Sequence, residues 1–444
     1  MASRTRGRVA TGDAAMTHLM LEIVGVWLVV ILLGLPLYAA MGLAAFAFVL
    51  LGGLAGSIVP QKMAQAMNSF PLVAAPLFVL MGAILGQAQL TDRIVRFATS
   101  IVGALRGGYA HASILSSMIF AGMVGSAVAD AAGTGAVEVR AMKKAGYRPE
   151  TAAAISAAAA TIGPIIPPSL PMVIYGVSAD TSIGRLFLAG VIPGVLMGVS
   201  LMVMVAIIAP RQGLPRHAFG GFAAIWSAFK GAFFALLAPV ILLGGMFSGL
   251  FTPTEAAAVA DIYALFLGFV VYRTLHLKDL PAILINTAET TGIVMVLVMV
   301  AGALGWCMSI SRIPQTLAPM MVAAIHQPLV FLLVSNIILL VIGCFMEALA
   351  ALLILVPILV PAAIGFGIDP VQFGLIMIFN LILGTIHPPI GVVLFVMARI
   401  ADVTFEQISR AILPWLVPLL VVLAAITVWP PLTLWLPGLV MGGK

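Results

Sequence analysis

Runs of about twenty or more apolar residues follow one another from residue 18 almost to the carboxyl terminus, with only short polar turns between them. A bilayer crossing needs about 20 such residues. The runs at about 18–36, 39–58, 70–90, 186–210, 230–250, 253–272 and 283–308 therefore read as membrane spans. Only 8% of the residues are charged, against about 25% in a soluble domain, and a soluble fold is excluded. The net charge of +6 sits in short Lys and Arg clusters between apolar runs, as in cytoplasmic loops of an inner-membrane protein. The lipid bilayer, not a nucleic acid, is the partner this charge pattern implies. Residues 1–17 are a polar tail with Arg4, Arg6 and Arg8. The run after it is too long, and too soon followed by another, for a cleaved signal. Cys307 and Cys344 lie inside apolar runs and read as small packing residues.

Four segments break the regularity. The run 109–139 could cross once, yet Gly122, Gly125, Gly133 and Gly135 interrupt it and Asp130 lies near its middle. Both flanks are basic: Arg106 before it, Arg140, Lys143, Lys144 and Arg148 after it. A segment that begins and ends on one side with a break at its centre is a re-entrant hairpin of two half-helices. A second broken apolar segment covers 328–364. Helices over 151–178 and 371–398 are broken in turn, the first by Pro164, Pro167, Pro168 and Pro171, the second by Pro388 and Pro389. With a last span at 412–437 the count is ten full spans and two hairpins.

Sliding the chain on itself by 221 positions explains the arrangement. Gly122 then meets Gly343, Gly146 meets Gly367, Pro149 meets Pro370, Gly163 meets Gly384 and Ile165 meets Ile386, while Pro167, Pro168 and Pro193 meet Pro388, Pro389 and Pro414. Gly and Pro are helix breakers, so the repeat preserves where each half bends. Charge distinguishes the copies. Residues 140–148 hold four basic groups, whereas 361–369 hold none and carry Asp369. Later the bias reverses, with Asp180 and Arg185 in the first copy against Arg399 and Arg410 around Asp402 and Glu406 in the second. Opposed charge means opposed orientation. The chain thus reads as an all-α polytopic membrane protein with an inverted-topology repeat: 18–220 and 221–444, each with one hairpin and one broken helix. The basic tail argues against this orientation, because an odd count of crossings places it outside, unless a further span lies near 90–106.

Inside hydrocarbon an unpaired backbone group costs several kcal/mol, so helix breaks persist only where protein, water or a ligand satisfies the freed groups. Half-helix amino termini suit anions and unwound carbonyls suit Na⁺. Pro adds to this, since it lacks N–H and frees the carbonyl four residues earlier. The candidate cation and substrate residues are Gly125, Ser126 and Asp130 in the first hairpin, Gly163, Pro164, Pro167, Pro168 and Ser169 in the first broken helix, Glu347 in the second hairpin, and Gly384, Thr385, Pro388 and Pro389 in the second broken helix. Na⁺ is expected on carbonyls near Gly163, Pro167, Gly384 and Pro388. Asp130, Glu289 and Glu347 lie in apolar runs, where a charge costs roughly 2.5–3.5 kcal/mol; only Glu289 lies outside the hairpins. His387 is a lone His in an apolar helix, a proton carrier or a packing group. No HExxH, GxSxG or Walker A sequence occurs, so no enzyme chemistry and no cofactor is expected, and an ion gradient is the available energy source.

These stretches resemble the DctM-like large membrane subunit of the tripartite ATP-independent periplasmic (TRAP) transporters. The matching residues are Gly125-Ser-Ala-Val-Ala-Asp130 with Ala145-Gly-Tyr147, Ala160-Thr-Ile-Gly-Pro-Ile-Ile-Pro-Pro-Ser169, Thr252-Pro-Thr-Glu-Ala-Ala-Ala-Val-Ala260 and Gly384-Thr-Ile-His-Pro-Pro-Ile-Gly391. The resemblance implies an elevator carrier driven by Na⁺, in which a transport domain holding both hairpins slides against a scaffold. It implies two protein partners, a small four-helix membrane subunit and a periplasmic substrate-binding protein, and an organic acid substrate such as a dicarboxylate, sialic acid, keto acid or sugar acid. Two departures stand out. Val124-Gly-Ser-Ala127 keeps one hydroxyl where the family often has Ser-Gly-Ser-Ser, and His387 stands where the family pattern leads us to expect Thr. A self-sufficient ion and organic-anion antiporter is the alternative reading; it would need no protein partners.

Overall fold

The computed structural model describes residues 16–442 apart from 28, 31–32, 89, 125–126 and 217–219. The described elements are helices, without a strand among them. In chain order the first half gives α1 (Met16–Trp27), α2 (Leu37–Leu51), α3 (Ile58–Met67), α4 (Ala74–Gln87), α5 (Leu90–Val102), α6 (Gly108–Val124), α7 (Ala127–Asp130), α8 (Ala136–Lys144), α9 (Pro149–Ala160), α10 (Leu170–Ser178) and α11 (Ile183–Gln212). The second gives α12 (Gly221–Phe247), α13 (Pro253–Phe266), α14 (Leu280–Ile310), α15 (Ile313–Ala324), α16 (Pro328–Phe345), α17 (Ala348–Gly365), α18 (Pro370–Gly384), α19 (Val392–Ala401), α20 (Phe405–Val428) and α21 (Pro431–Met441). A π-helical turn, Ala131–Gly135, joins α7 to α8.

The spacing of 221 reappears in helix ends. Residues 127 and 144, the ends of α7 and α8, correspond to the ends of α17, and α9 begins at Pro149 as α18 does at Pro370. The turns before α9 and α18 place Gly146 at φ 92° and Gly367 at φ 74°, a left-handed conformation in which a Cβ would be strained. The aligned glycines are therefore required by the backbone. Both Pro pairs carry a cis bond, Pro167–Pro168 and Pro388–Pro389.

The two broken helices occupy the middle. All residues from Thr151 to Ala160 in α9 and from Val371 to Gly384 in α18 are buried, as befits helices apolar on every side. The alanines of α9 let neighbours approach closely. It packs against α6 and α8 of its own half and α19 and α20 of the other, and α18 against α16, α17 and α20 and also α10 and α11. Outside them, α14 lies on α2, α3 and α4, while α12 lies on α5 and α13.

Hydropathy misplaced some boundaries. The last span begins at Phe405 rather than near 412, because Thr404 and Gln407 form a capping box that starts the helix in polar sequence. It ends before Pro430, where a separate α21 follows. The stretch near 90–106 is the 13-residue amphipathic α5, with Asp92 in its first turn. At about 1.5 Å per residue it spans about 20 Å, short of a crossing, and it adds no span.

Candidate functional site

The first broken helix leaves α9 through turns at 161–168 and resumes at Ser169, whose hydroxyl caps α10 by accepting from Met172 N at 3.4 Å. Ser169 Oγ also donates to Pro164 O at 2.5 Å. Ile162 O accepts from Ile165 N and Ile166 N at 3.0 Å each. Among the described residues no hydrogen bond reaches Gly163 O or Pro167 O, so two of the carbonyls expected to face a cation are open.

Asp130 faces this break. It is 2% exposed, and Thr134 donates to its Oδ1. Its Oδ2 is buried with no partner among the described residues. A Cβ built on Gly163 would lie 3.8 Å from that oxygen. An acidic oxygen without a donor next to Gly163, in a break whose carbonyls at Gly163 and Pro167 also lack donors, is negative charge that a small cation would neutralise. Gly125 and Ser126, the other expected members, lie outside the described residues.

The second break is built on the same plan with different occupancy. Gly384 meets α16 in direct backbone contact: a Cβ there would be 2.5 Å from Gly343 Cα. Thr385 Oγ1 donates to Ile382 O at 2.6 Å, and Gly384 O accepts from His387 N at 3.1 Å. The His387 ring lies against Pro388 O, with Nδ1 at 2.5 Å, and Cys344 Sγ is 3.4 Å from the same nitrogen. His387 thus engages, through backbone or ring, both carbonyls expected to bind a cation here. Pro389 is exposed and Thr385 is 4% exposed. Glu347 caps α17, accepting from Ala350 N at 3.1 Å, and is otherwise exposed. Its counterpart at the 221-residue spacing, Ser126, lies outside the described residues.

Glu289 is exposed on α14 and is not gathered to either break. Two acids missed by the sequence reading are buried: Glu138 on α8 and Asp261 on α13, the latter with neither oxygen partnered among the described residues. Asp261 lies on a helix packed against α4 and α12, away from the breaks. A cleft of about 610 Å³ opens where the 176–184 turn meets Ser69–Pro71 and the 249–254 turn. Groups of three or more His, Cys, Asp or Glu arranged for a metal do not occur among the described residues.

The family model and the relatives in sequence agree on one family. The family model described as the tripartite ATP-independent periplasmic transporter, DctM component, matches residues 24–432. The sialic acid TRAP transporter large permease protein SiaM of Vibrio cholerae is 45% identical over 417 residues, covering 94% of this chain and 98% of that protein. The C4-dicarboxylate TRAP transporter large permease protein DctM of Pseudomonas aeruginosa is 39% identical over 377 residues, covering 85% and 88%. Among solved structures, the YdaH transporter of Alcanivorax borkumensis superposes with a TM-score of 0.61 at 16% identity, covering 84% of this chain and 88% of that one. That likeness shows the fold alone.

Proposed function

This chain belongs to the DctM component family of the tripartite ATP-independent periplasmic transporters, multi-pass permeases of the bacterial inner membrane, and from that premise we propose that it carries a small organic acid inward by Na⁺ coupling. The observation that carries the coupling is the unpartnered Asp130 Oδ2 next to Gly163, in a break where the carbonyls of Gly163 and Pro167 have no donor. A buried carboxylate oxygen without a donor is costly in a membrane, and a monovalent cation removes the cost with no proton bookkeeping. The second break offers a second cation position, tuned by His387, and the two breaks together frame the substrate.

The names of the relatives support a carboxylate or related acid as the solute: sialic acid for SiaM, a C4-dicarboxylate for DctM. The small membrane subunit and a periplasmic binding protein are the partners. Vesicles holding this chain with the small subunit, given a loaded binding protein, should accumulate solute with a dependence on external Na⁺ steeper than one site allows. Full uptake by the chain alone would instead favour a self-sufficient antiporter, and uptake indifferent to Na⁺ would remove the coupling.

The two halves lie in opposite senses across the membrane, with α6 to α8 and α16 to α17 as re-entrant hairpins of a sliding transport unit. The charges support this reading: Arg140, Lys143, Lys144 and Arg148 on the first turn, Asp369 on its counterpart. Single cysteines placed at 145 and 366 should label from the cytoplasm and from the periplasm respectively. Labelling of both from one side would sink the inverted arrangement.

A further inference from the structure

Eight residues beyond Asp130 on the same hairpin arm, Glu138 is 3% exposed and belongs to no ion pair among the described residues. Three hydroxyls from two other helices hold its carboxylate. Ser113 of α6 donates to Oε2 at 2.5 Å, Ser116 of α6 to Oε1 at 2.5 Å, and Ser156 of α9 to Oε2 at 3.1 Å. The Oγ atoms of Ser113 and Ser156 are 3.5 Å apart. All three serines are at most 2% exposed.

The repeat shows that a carboxylate and a serine are not demanded where the arm meets the broken helix. The four corresponding positions of the second half are Val334, Ile337, Leu359 and Met377. Leu359 and Met377 are buried there, so the contact between the arm and the broken helix closes with hydrocarbon, while Val334 and Ile337 are exposed on α16. A carboxylate in its place adds a charge whose burial is costly unless it is compensated. The titratable and charged groups on the elements packed against α8 are Tyr109 and His111 on α6, Asp130 on α7, Glu150 on α9 and Arg399 on α19, with Arg140, Lys143 and Lys144 on α8 itself. None makes an ion pair with Glu138 among the described residues, and Lys143 Nζ donates to Ala401 O at 2.9 Å.

Spacing decides what compensates it. Two oxygens bound at right angles to one cation at about 2.4 Å stand about 3.4 Å apart, whereas 2.5 Å is the separation of a charge-assisted O–H···O bond. The shell around Glu138 is closed to a metal ion and suited to a proton. A hydroxyl both donates and accepts, so one serine can turn its hydrogen away and accept from the protonated acid without any buried group losing its partner.

We propose that Glu138 is a proton-binding site, and that its proton weakens Na⁺ binding between Asp130 and the Gly163 break. The proposal rests on the Na⁺ reading of that break. In the step itself the ionised carboxylate takes one proton from water and its charge falls from −1 to zero. Eight residues at about 1.5 Å rise put the two acids about 12 Å apart along the arm. At that range a unit charge acting through an effective dielectric of about 20 changes the affinity for a monovalent cation about tenfold. Protonation also loosens the tie between α8, α6 and α9, in the same direction.

The test is the Na⁺ activation of uptake by the complete complex from about pH 5.5 to about pH 8.5. The wild type should need up to about tenfold more Na⁺ at the acid end. Glu138→Gln should show the acid-form requirement at every pH. Ser156→Ala removes a donor that favours the ionised form, so its transition should move to higher pH; it also serves if Glu138→Gln fails to accumulate in the membrane. A Na⁺ requirement independent of pH in the wild type, or a full pH response in Glu138→Gln, or an unmoved transition in Ser156→Ala, overturns the proposal and leaves the Na⁺ site standing. Absence of any Na⁺ requirement defeats the Na⁺ reading and with it the linkage. The proton site then stands or falls on the carboxylic-acid infrared band gained on acidification, which should be missing in Glu138→Gln.

Discussion

Asp130→Asn is expected to leave a folded, membrane-inserted protein that no longer accumulates solute on a Na⁺ gradient. The substitution keeps the shape of the side chain and the acceptor for Thr134, which donates to Oδ1, and removes the charge that faces Gly163. Truncating one partner of a buried charge pair costs about 2–5 kcal/mol, at least about 30-fold in affinity. A Na⁺ titration of uptake should therefore move out of reach of physiological concentrations. Stability supplies the control. Without Na⁺ the native carboxylate has an unpartnered buried oxygen, so the neutral Asn variant should melt no lower than wild type, and Na⁺ should no longer raise its melting temperature. Retained Na⁺ stabilisation in Asp130→Asn would place the cation elsewhere.

Gly384→Val should be the most damaging single change at the second break. A Cβ at 384 would lie 2.5 Å from Gly343 Cα, and backbone cannot swing aside as a side chain can. Overpacking of this kind costs about 3 kcal/mol, and here it would push α16 off α18 at the point where the break begins. Uptake should vanish and thermal unfolding in detergent should fall by several degrees or fail to show a transition. Gly86→Val is the matched control, because a Cβ there meets nothing within 4 Å. Equal tolerance of the two substitutions would mean that α16 and α18 do not touch at these glycines.

The breaks were legible because they are written in residues with one physical meaning. Pro removes a donor and Gly admits a turn or a close approach; Gly163, Pro167, Pro168, Pro388 and Pro389 lie in breaks of the helices, and Gly384 ends α18 where the second break begins. Asp130 was legible as an acid in an apolar run. Glu138 was not, because two residues later Arg140 opens a basic loop, and an acid beside bases reads as a solvated surface. The serines that surround it come from 113, 116 and 156, so only tertiary packing assembles the group. Ser113 and Ser116, three apart on one helix face, were the one local signal. The roles of His387 were equally hidden. Sequence marks it as a departure from a pattern, and only the fold brings its ring to Pro388 O and Cys344.

The interleaving of the halves sets a timetable for biogenesis. α9 and α10 bury their faces against α17, α19 and α20, segments that the ribosome makes more than 150 residues later. At about 5–20 residues per second the first half waits roughly ten seconds or more in the translocon's neighbourhood before its partners exist. Throughout that wait the faces of α9 and α10 that α17, α19 and α20 later cover have no protein partner from the second half. A chain that stops early in the second half is left with an exposed, half-built core, which membrane proteases would recognise and clear.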